Sequence, residues 1–405
     1  MIERLWVKNF RMLKSNAVDL RRFAVLVGRN ASGKTTLMSA LRFVSHVLSD
    51  GVDRAIEAAL DSGGGGFGDL CFHPDLPIEL ALELRVDGSL YRYELGIGTQ
   101  RSAPQIQHER LLRCETEETR QEQRSLFGDA DLPAIIGASM KGWRKIVSKT
   151  SEAKDYFQDE KTSWNTTFRF GPTRSALGNI PEDPDRFRGA IAVRDSLRDG
   201  VMMVELDSHM LRLPSRPRSS PLLLRDGSNL AAAARTLEAR DPVAYEQWVG
   251  HVGEAVEGLE AVETWERPED RHIVLRGRFR GQHSDPVPSW LLSDGTLRLM
   301  ALSLLAYAEP EGARGIVLVE EPENGLHPLA IQSVHQALTA MQTTQVLVAT
   351  HSPVFLASTD MKQALVFRRQ PDGTARVERG DEVAALKQWH ANVRLTDVFA
   401  TGILS

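Results

Sequence analysis

Apolar and polar positions change their period several times along the chain, and each change marks an element. Leu5 to Phe10 and Ala24 to Val27 read as strands, and Thr35 to Leu48 place Leu37, Leu41, Val44 and Leu48 at helical spacing. The opening is therefore strand, turn, strand, glycine-rich loop, helix. Beyond a glycine-rich stretch from Ser62 to Leu70, Ile78, Leu80, Leu82, Leu84 and Val86 alternate with mostly polar neighbours. That pattern predicts a half-buried strand. The turn Asp87 to Ser89 leads into Tyr91, Tyr93, Leu95 and Ile97, alternating again, so the two runs predict a hairpin.

From Cys114 to about Asn229 the periodicity weakens, with charge runs such as ETEETRQEQR and irregular stretches such as LPSRPRSSP. This region reads as an insertion, part helical and part irregular. Asp241 followed by Pro242 has the form of an N-cap with proline at the first helical position, opening a helix through about Leu259. Gly315 to Val319 and Gln345 to Ala349 are continuous apolar runs, separated by a helix carrying Ile331, Val334, Leu338 and Met341. Two buried parallel strands with a crossover helix give that signature. No internal repeat or heptad array is present. The expected fold class is α/β with a mixed sheet, an antiparallel β-subdomain and a partly helical insertion. The expected organisation is an N-terminal lobe over 1–113, an insertion or lid over 114–235, and a C-terminal lobe over 236–405.

A chain of 405 residues suits one large domain with an insertion, or two domains. No window approaches the roughly 20 apolar residues of a membrane span, and no secretory signal is visible. Cys71 and Cys114 are too few for a disulfide framework or a four-ligand zinc site, which fits a reducing, cytoplasmic setting. With a net charge of −5, contact with nucleic acid would need a local basic patch. One candidate is Met140 to Lys149, where Lys141, Arg144, Lys145 and Lys149 accompany Trp143. Its plainer reading is a solvated helix face packed by Trp143, Ile146 and Val147. Arg212, Arg216 and Arg218 form a second candidate.

The strongest chemistry lies in GRNASGKT, Gly28 to Thr35, which fits the phosphate-loop pattern between a strand and a helix. Gly28 and Gly33 permit the tight turn, backbone N–H groups cradle phosphate, Lys34 neutralises the β/γ-phosphates, and Thr35 can ligate Mg²⁺. Asn30, Ser32 and Thr36 complete the expected nucleotide contacts. In IVLVEEPENGLHP an apolar strand ends in Glu320 and Glu321, at the edge where ligands of parallel sheets collect. Adjacent strand residues face opposite sides, so Glu320 can serve a metal's water shell and Glu321 an attacking water. His351 follows another buried strand, placed to polarise a γ-phosphate. LLSDGTLRLM, Leu291 to Met300, reads on its own as a helix with a plain Ser or Asp cap. Asp381 and Glu382 read as a solvated turn after Gly380 rather than a metal site.

Taken together, VKNFRML, GRNASGKT, LLSDGT, VLVEEPENGLHP and ATHSP occur in an order that resembles cassette-type ATPases of the SMC/RecF/OLD kind, particularly stand-alone bacterial ATPases of the AAA_21 kind. The resemblance implies a P-loop ATPase head that binds ATP and Mg²⁺. Glu320 takes the Walker B position, Glu321 that of the catalytic base, Asn324 falls in the D-loop, and His351 is the switch histidine. It further implies that Ser293 and Gly295 cap the γ-phosphate held by another subunit, in a head-to-tail homodimer. Glu320 stands where aspartate is common, Ala31 where many relatives have glycine, and no Q-loop can be placed. The absence of a heptad arm separates the chain from coiled-coil SMC proteins, and the stretch after His351 is too short for a C-terminal TOPRIM nuclease domain. The function implied is an ATP-gated switch acting on nucleic acid or a separately encoded effector, in anti-phage defence or DNA repair. Its alternatives are an ATP-bound scaffold that sequesters an effector with little turnover, and a transporter's nucleotide-binding subunit. A small-molecule kinase would leave LSDGT and His351 unexplained.

Overall fold

In the computed structural model, which describes residues 1–60, 64–115, 135, 142–150, 154–281, 285–309 and 315–383, both expected sheets are present. The chain begins with strands β1 (Ile2–Phe10), β2 (Leu13–Asp19) and β3 (Phe23–Val27), then helices α1 (Lys34–Ser49) and α2 (Val52–Ala59). Strands β4 (Ile78–Val86), β5 (Ser89–Gln100), β6 (Ala103–Cys114), β7 (Trp143–Lys149), β8 (Asp155–Gln158) and β9 (Asn165–Phe168) follow. Next come α3 (Pro184–Arg198), β10 (Val201–Val204), α4 (Ser208–Arg212), α5 (Leu230–Arg240), α6 (Pro242–Ala255), β11 (Leu259–Glu266), β12 (Ile273–Phe279) and β13 (Val287–Pro288). The remainder comprises α7 (Asp294–Tyr307), β14 (Ile316–Glu320), α8 (Pro328–Ala340), β15 (Gln345–Thr350), α9 (Pro353–Ala357), β16 (Ala364–Arg369) and β17 (Ala375–Arg379).

The six-stranded sheet has the order β10-β14-β15-β3-β16-β17, with all neighbours parallel except the last pair. Its central strands are apolar on both faces because both faces are covered. Ala24, Leu26, Leu318 and Leu347 pack toward α1 and the eight-stranded sheet. Their alternate neighbours Val25, Val27, Val317, Val319, Val346 and Val348 pack toward α5, α6, α7 and α8. Gln345 ties the sheet to the chain's start: Ile2 donates its N–H to Gln345 Oε1 at 2.9 Å, and Gln345 Nε2 donates to the carbonyl of Ile2 at 2.9 Å.

The antiparallel sheet has the order β2-β1-β4-β5-β6-β7-β8-β9. Asp87 and Gly88 take φ of +49° and +77°, so the hairpin of β4 and β5 turns through two left-handed residues. Glu94, fully buried on this sheet, accepts from Arg92 Nε at 2.7 Å and Arg110 Nε at 2.5 Å, while Arg92 also lies 4.2 Å above the Trp6 ring.

Residues 143–149 form strand β7, not a helix face. Register shifts between Leu111↔Val147 and Leu112↔Lys145, leaving Ile146 as an extra residue, so Ile146 and Val147 are both buried. That bulge is what gives the segment its helix-like spacing. Two of its cations are engaged, while Lys145 is exposed: Arg144 donates to the carbonyls of Asp159 and Thr162, and buried Lys149 donates to Asp155 Oδ1 at 2.5 Å. Lys141 and the charge run ETEETRQEQR past Glu115 lie outside the described residues. The region read as an insertion also supplies β10, which pairs with β14 at the edge of the six-stranded sheet. Asp241 caps α6 as expected, accepting from Ala244 N–H. Asp381 is paired with Arg379 at 2.6 Å. No helix among the described residues is long and apolar enough to cross a membrane.

Candidate functional site

The loop between β3 and α1 is shaped by close backbone approach. A Cβ on Gly28 would lie 2.5 Å from the carbonyl oxygen of Phe367, and Gly33 combines φ +105° with an imaginary Cβ 2.8 Å from the Cβ of Ala375. Only glycine meets both demands at Gly33. Ala31 takes φ +58°, the left-handed region, without glycine's freedom. Lys34 folds back over the loop and donates from Nζ to the carbonyls of Gly28 at 2.7 Å and Arg29 at 3.0 Å. Burial pulls the Lys34 ammonium below its ordinary pKa, while the charges of Glu321, Glu320 and Glu323 pull it back up. Ser32 Oγ is buried beneath the loop with no hydrogen-bond partner.

Strand β14 delivers its carboxylates to the same place. One cleft at the C-terminal ends of β10, β14 and β3 is lined by Asn30, Lys34, Thr35, Glu320, Glu321 and Asn324, together with Glu205, Leu206 and Arg298. Glu321 takes φ +44°, unusual for a residue with a side chain, and its N–H donates to the carbonyl of Ala349 at 2.8 Å. Asn324 Nδ2 donates to Glu321 Oε2 at 2.8 Å, and His351 Nδ1 lies 3.3 Å from Glu321 Oε1. Thr36 is buried and does not line the cleft.

Glu323, which sequence reasoning passed over as part of a turn, holds the end of β15. Its Oε1 accepts from Thr350 Oγ1 at 2.7 Å and from the His351 N–H at 3.2 Å. It therefore fixes where His351 starts. The only signal in the sequence is a third carboxylate two residues after Glu321.

Ser293 is an N-cap: its Oγ accepts from Thr296 N–H at 3.1 Å, opening α7. Neither Ser293 nor Gly295 lines the cleft of its own chain. A Cβ on Gly295 would lie 2.7 Å from the carbonyl oxygen of Gly325. Arg212 clamps this turn, donating to the carbonyls of Trp290 at 2.9 Å and Leu292 at 2.7 Å and pairing with Asp294 Oδ1 at 2.6 Å. It is thus an internal strut rather than part of a basic patch, while Arg216 and Arg218 are exposed. Trp290 and Leu291 beside it are exposed apolar side chains, at 45% and 70%.

The residues fit a hard cation bound with a triphosphate. Glu320 Oε1 is buried without a hydrogen-bond partner, and Glu320 and Thr35 line two adjoining clefts together. No group of three or more His, Cys, Asp or Glu side chains that could hold a metal occurs among the described residues. Phosphate and water oxygens must complete such a shell, as is usual for Mg²⁺.

Residues 23–357 match the family described as "AAA domain, putative AbiEii toxin, Type IV TA system". Among solved structures the chain is similar to an Smc head bound to the C-winged helix domain of ScpA, with a TM-score of 0.51, 16% identity, and 93% of this chain and 97% of that one covered. It is also similar to an Smc head domain with an extended coiled coil, bound to the C-terminal domain of ScpA, from Pyrococcus furiosus, at 15% identity, 100% and 98% coverage and a TM-score of 0.47. An SMC head domain from Thermotoga maritima aligns at 12% identity, with 93% and 98% coverage and a TM-score of 0.42. No curated protein matches the chain in sequence.

Proposed function

The chain belongs to the AAA_21 family and has the fold of an SMC head, and from that premise we propose that it is an ATP-hydrolysing switch controlling a partner protein. The observation that carries this reading is convergence: Lys34, Thr35, Glu320, Glu321 and Asn324 share one cleft, and His351 Nδ1 stands 3.3 Å from Glu321 Oε1. Lys34 and the loop N–H groups hold the β- and γ-phosphates. Glu321 takes a proton from the attacking water, with Asn324 fixing its second oxygen and His351 beside the γ-phosphate. Thr35 and Glu320 would hold Mg²⁺, which when bound would draw charge from the phosphate oxygens.

Ser293 and Gly295 act on a second subunit's nucleotide. They stand outside the chain's own cleft and open a helix whose N-terminus favours an anion. ATP therefore closes a head-to-tail homodimer, and hydrolysis opens it. A protein effector suits the surface better than nucleic acid, because Arg144, Lys149 and Arg212 are spent on internal partners and the exposed Lys145, Arg216 and Arg218 are divided between two separate segments. The toxin–antitoxin wording of the family's description agrees with a separately encoded effector, in a defence role.

The test is phosphate release by the purified chain, with its mass measured by light scattering at each nucleotide state. Turnover together with ATP-dependent dimers supports the switch. ATP binding without phosphate release would favour a scaffold that sequesters its effector.

A further inference from the structure

Arg298 lies in α7, little more than one turn beyond Ser293, in a run otherwise read as an apolar helix. It is half-buried and lines the cleft that holds Lys34, Glu320, Glu321 and Asn324. A guanidinium carries five N–H donors. Among the described residues Arg298 makes one hydrogen bond, from Nη1 to the carbonyl of Leu206 at 3.3 Å, and its Nε is buried without a partner. Arg212, which clamps the turn before α7, spends Nε, Nη1 and Nη2 on carbonyl and carboxylate oxygens. Burial of Arg298 opposes its charge and Asp294 favours it, yet no carboxylate reaches ion-pair distance among the described residues. A half-buried guanidinium whose Nε is buried without a partner has donors to spare for an anion in the cleft. The cleft's own chemistry says which anion.

We propose that Arg298 is a catalytic residue that contacts the γ-phosphate of ATP bound to its own chain. The proposal rests on the hydrolytic reading above. Lys34 enters the cleft from the β3–α1 loop, whereas Arg298 enters from α7, beside the Leu206 segment that follows β10. The two cations thus enter one cleft from different elements. In the reaction the water oxygen bonds to the γ-phosphorus, and the bond from that phosphorus to the β,γ-bridging oxygen breaks, with ADP leaving on the electron pair. The water's proton passes to Glu321. Arg298 forms no covalent bond and moves no proton; its N–H groups donate to γ-phosphate oxygens and offset their charge as the bond breaks. Because its aliphatic stem packs over Gly325, with Cδ 3.9 Å from a Cβ placed there, the same residue reports the position of the loop after β14.

The experiment compares wild type with Arg298→Ala, Arg298→Met and Arg298→Lys in the full chain. It measures phosphate release, affinity for a fluorescent ATP analogue, and affinity for ADP with and without aluminium fluoride. Arg298→Ala should lower kcat by about 10²-fold or more, with ATP affinity within about threefold and the gain in ADP affinity from aluminium fluoride lost. Arg298→Lys should recover part of both. Arg298→Met keeps the stem's packing and carries the test if the alanine variant is unstable. Turnover by the alanine or methionine variant within about threefold of wild type would overturn the proposal while leaving hydrolysis intact. Absence of phosphate release from wild type would overturn both readings.

Discussion

Gly295 and Gly325 touch backbone to backbone: a side-chain carbon added to the first would sit 2.7 Å from the carbonyl oxygen of the second. The turn that starts α7 and the loop that follows Glu321 therefore pack with no room for a side chain between them. Gly295→Ala must push them apart, at a cost of about 1–3 kcal/mol. Urea unfolding should report that loss, and ATPase activity should fall further than stability does. An alanine variant as stable and as active as wild type would mean the two loops separate freely.

Glu321→Gln preserves shape and removes the base. Its kcat should fall about 10²- to 10⁴-fold while ATP affinity holds. Lys34→Ala should instead weaken nucleotide binding itself, since a phosphate charge loses its partner. Isothermal titration and phosphate release separate the two. Near-normal hydrolysis by the glutamine variant would place the base elsewhere.

Ser293 lies outside its own cleft, so its lesion should act on a neighbour. Ser293→Arg should block ATP-dependent closure yet leave nucleotide binding at Lys34 intact. Mixed with Lys34→Ala subunits, it forms heterodimers with one site carrying both lesions and one carrying neither, so activity should reappear. Substituting a cap alone costs about 0.5–2 kcal/mol within the same chain and cannot be rescued by mixing. Inactive mixtures containing proven heterodimers, with a melting temperature lowered in step with activity, would leave Ser293 a cap and nothing more.

A pH dependence follows from Glu94. Burial alone would raise its pKa, but His108, Arg92 and Arg110 outweigh burial and hold it at about 2, below the ordinary 4.5. Between those values the unfolded chain binds the proton and the folded chain does not, so stability falls as pH drops from about 4.5 toward 2. Glu94→Gln should lower the melting temperature at neutral pH, because it removes the carboxylate charge between two buried arginines, and should flatten the acid-side slope. An unchanged slope would assign acid sensitivity to other carboxylates.

Much of this architecture is legible in the chain because its strongest signals are local. Val25 to Gly33 and Val317 to Glu321 carry strand and turn chemistry in a few consecutive residues, and the structure forms those elements there. Residues 143–149 misled because a bulge buries Ile146 and Val147 together, imitating helical spacing. Arg212, read as part of a basic patch, and Glu323 and Arg298, passed over, were missed for another reason. Each acts across a gap in the chain, on Asp294, His351 and the cleft respectively, and nothing in their own neighbourhood marks the partner.

Strand β3, which carries the phosphate loop, lies between β15 and β16 and is hydrogen-bonded to both. Its neighbours in the sheet are made more than three hundred residues later, as the register of Val25 with Val348 and Ala364 records. A ribosome that has just released the loop has therefore made no nucleotide site. The loop's flanking strand stays an unpaired apolar segment until Gln345–Thr350 emerges and keeps one open edge until Ala364–Arg369 follows, and pairing over such separations is slow. Newly made chains should acquire ATP binding late and all at once, and until then depend on whatever shields exposed strands during synthesis.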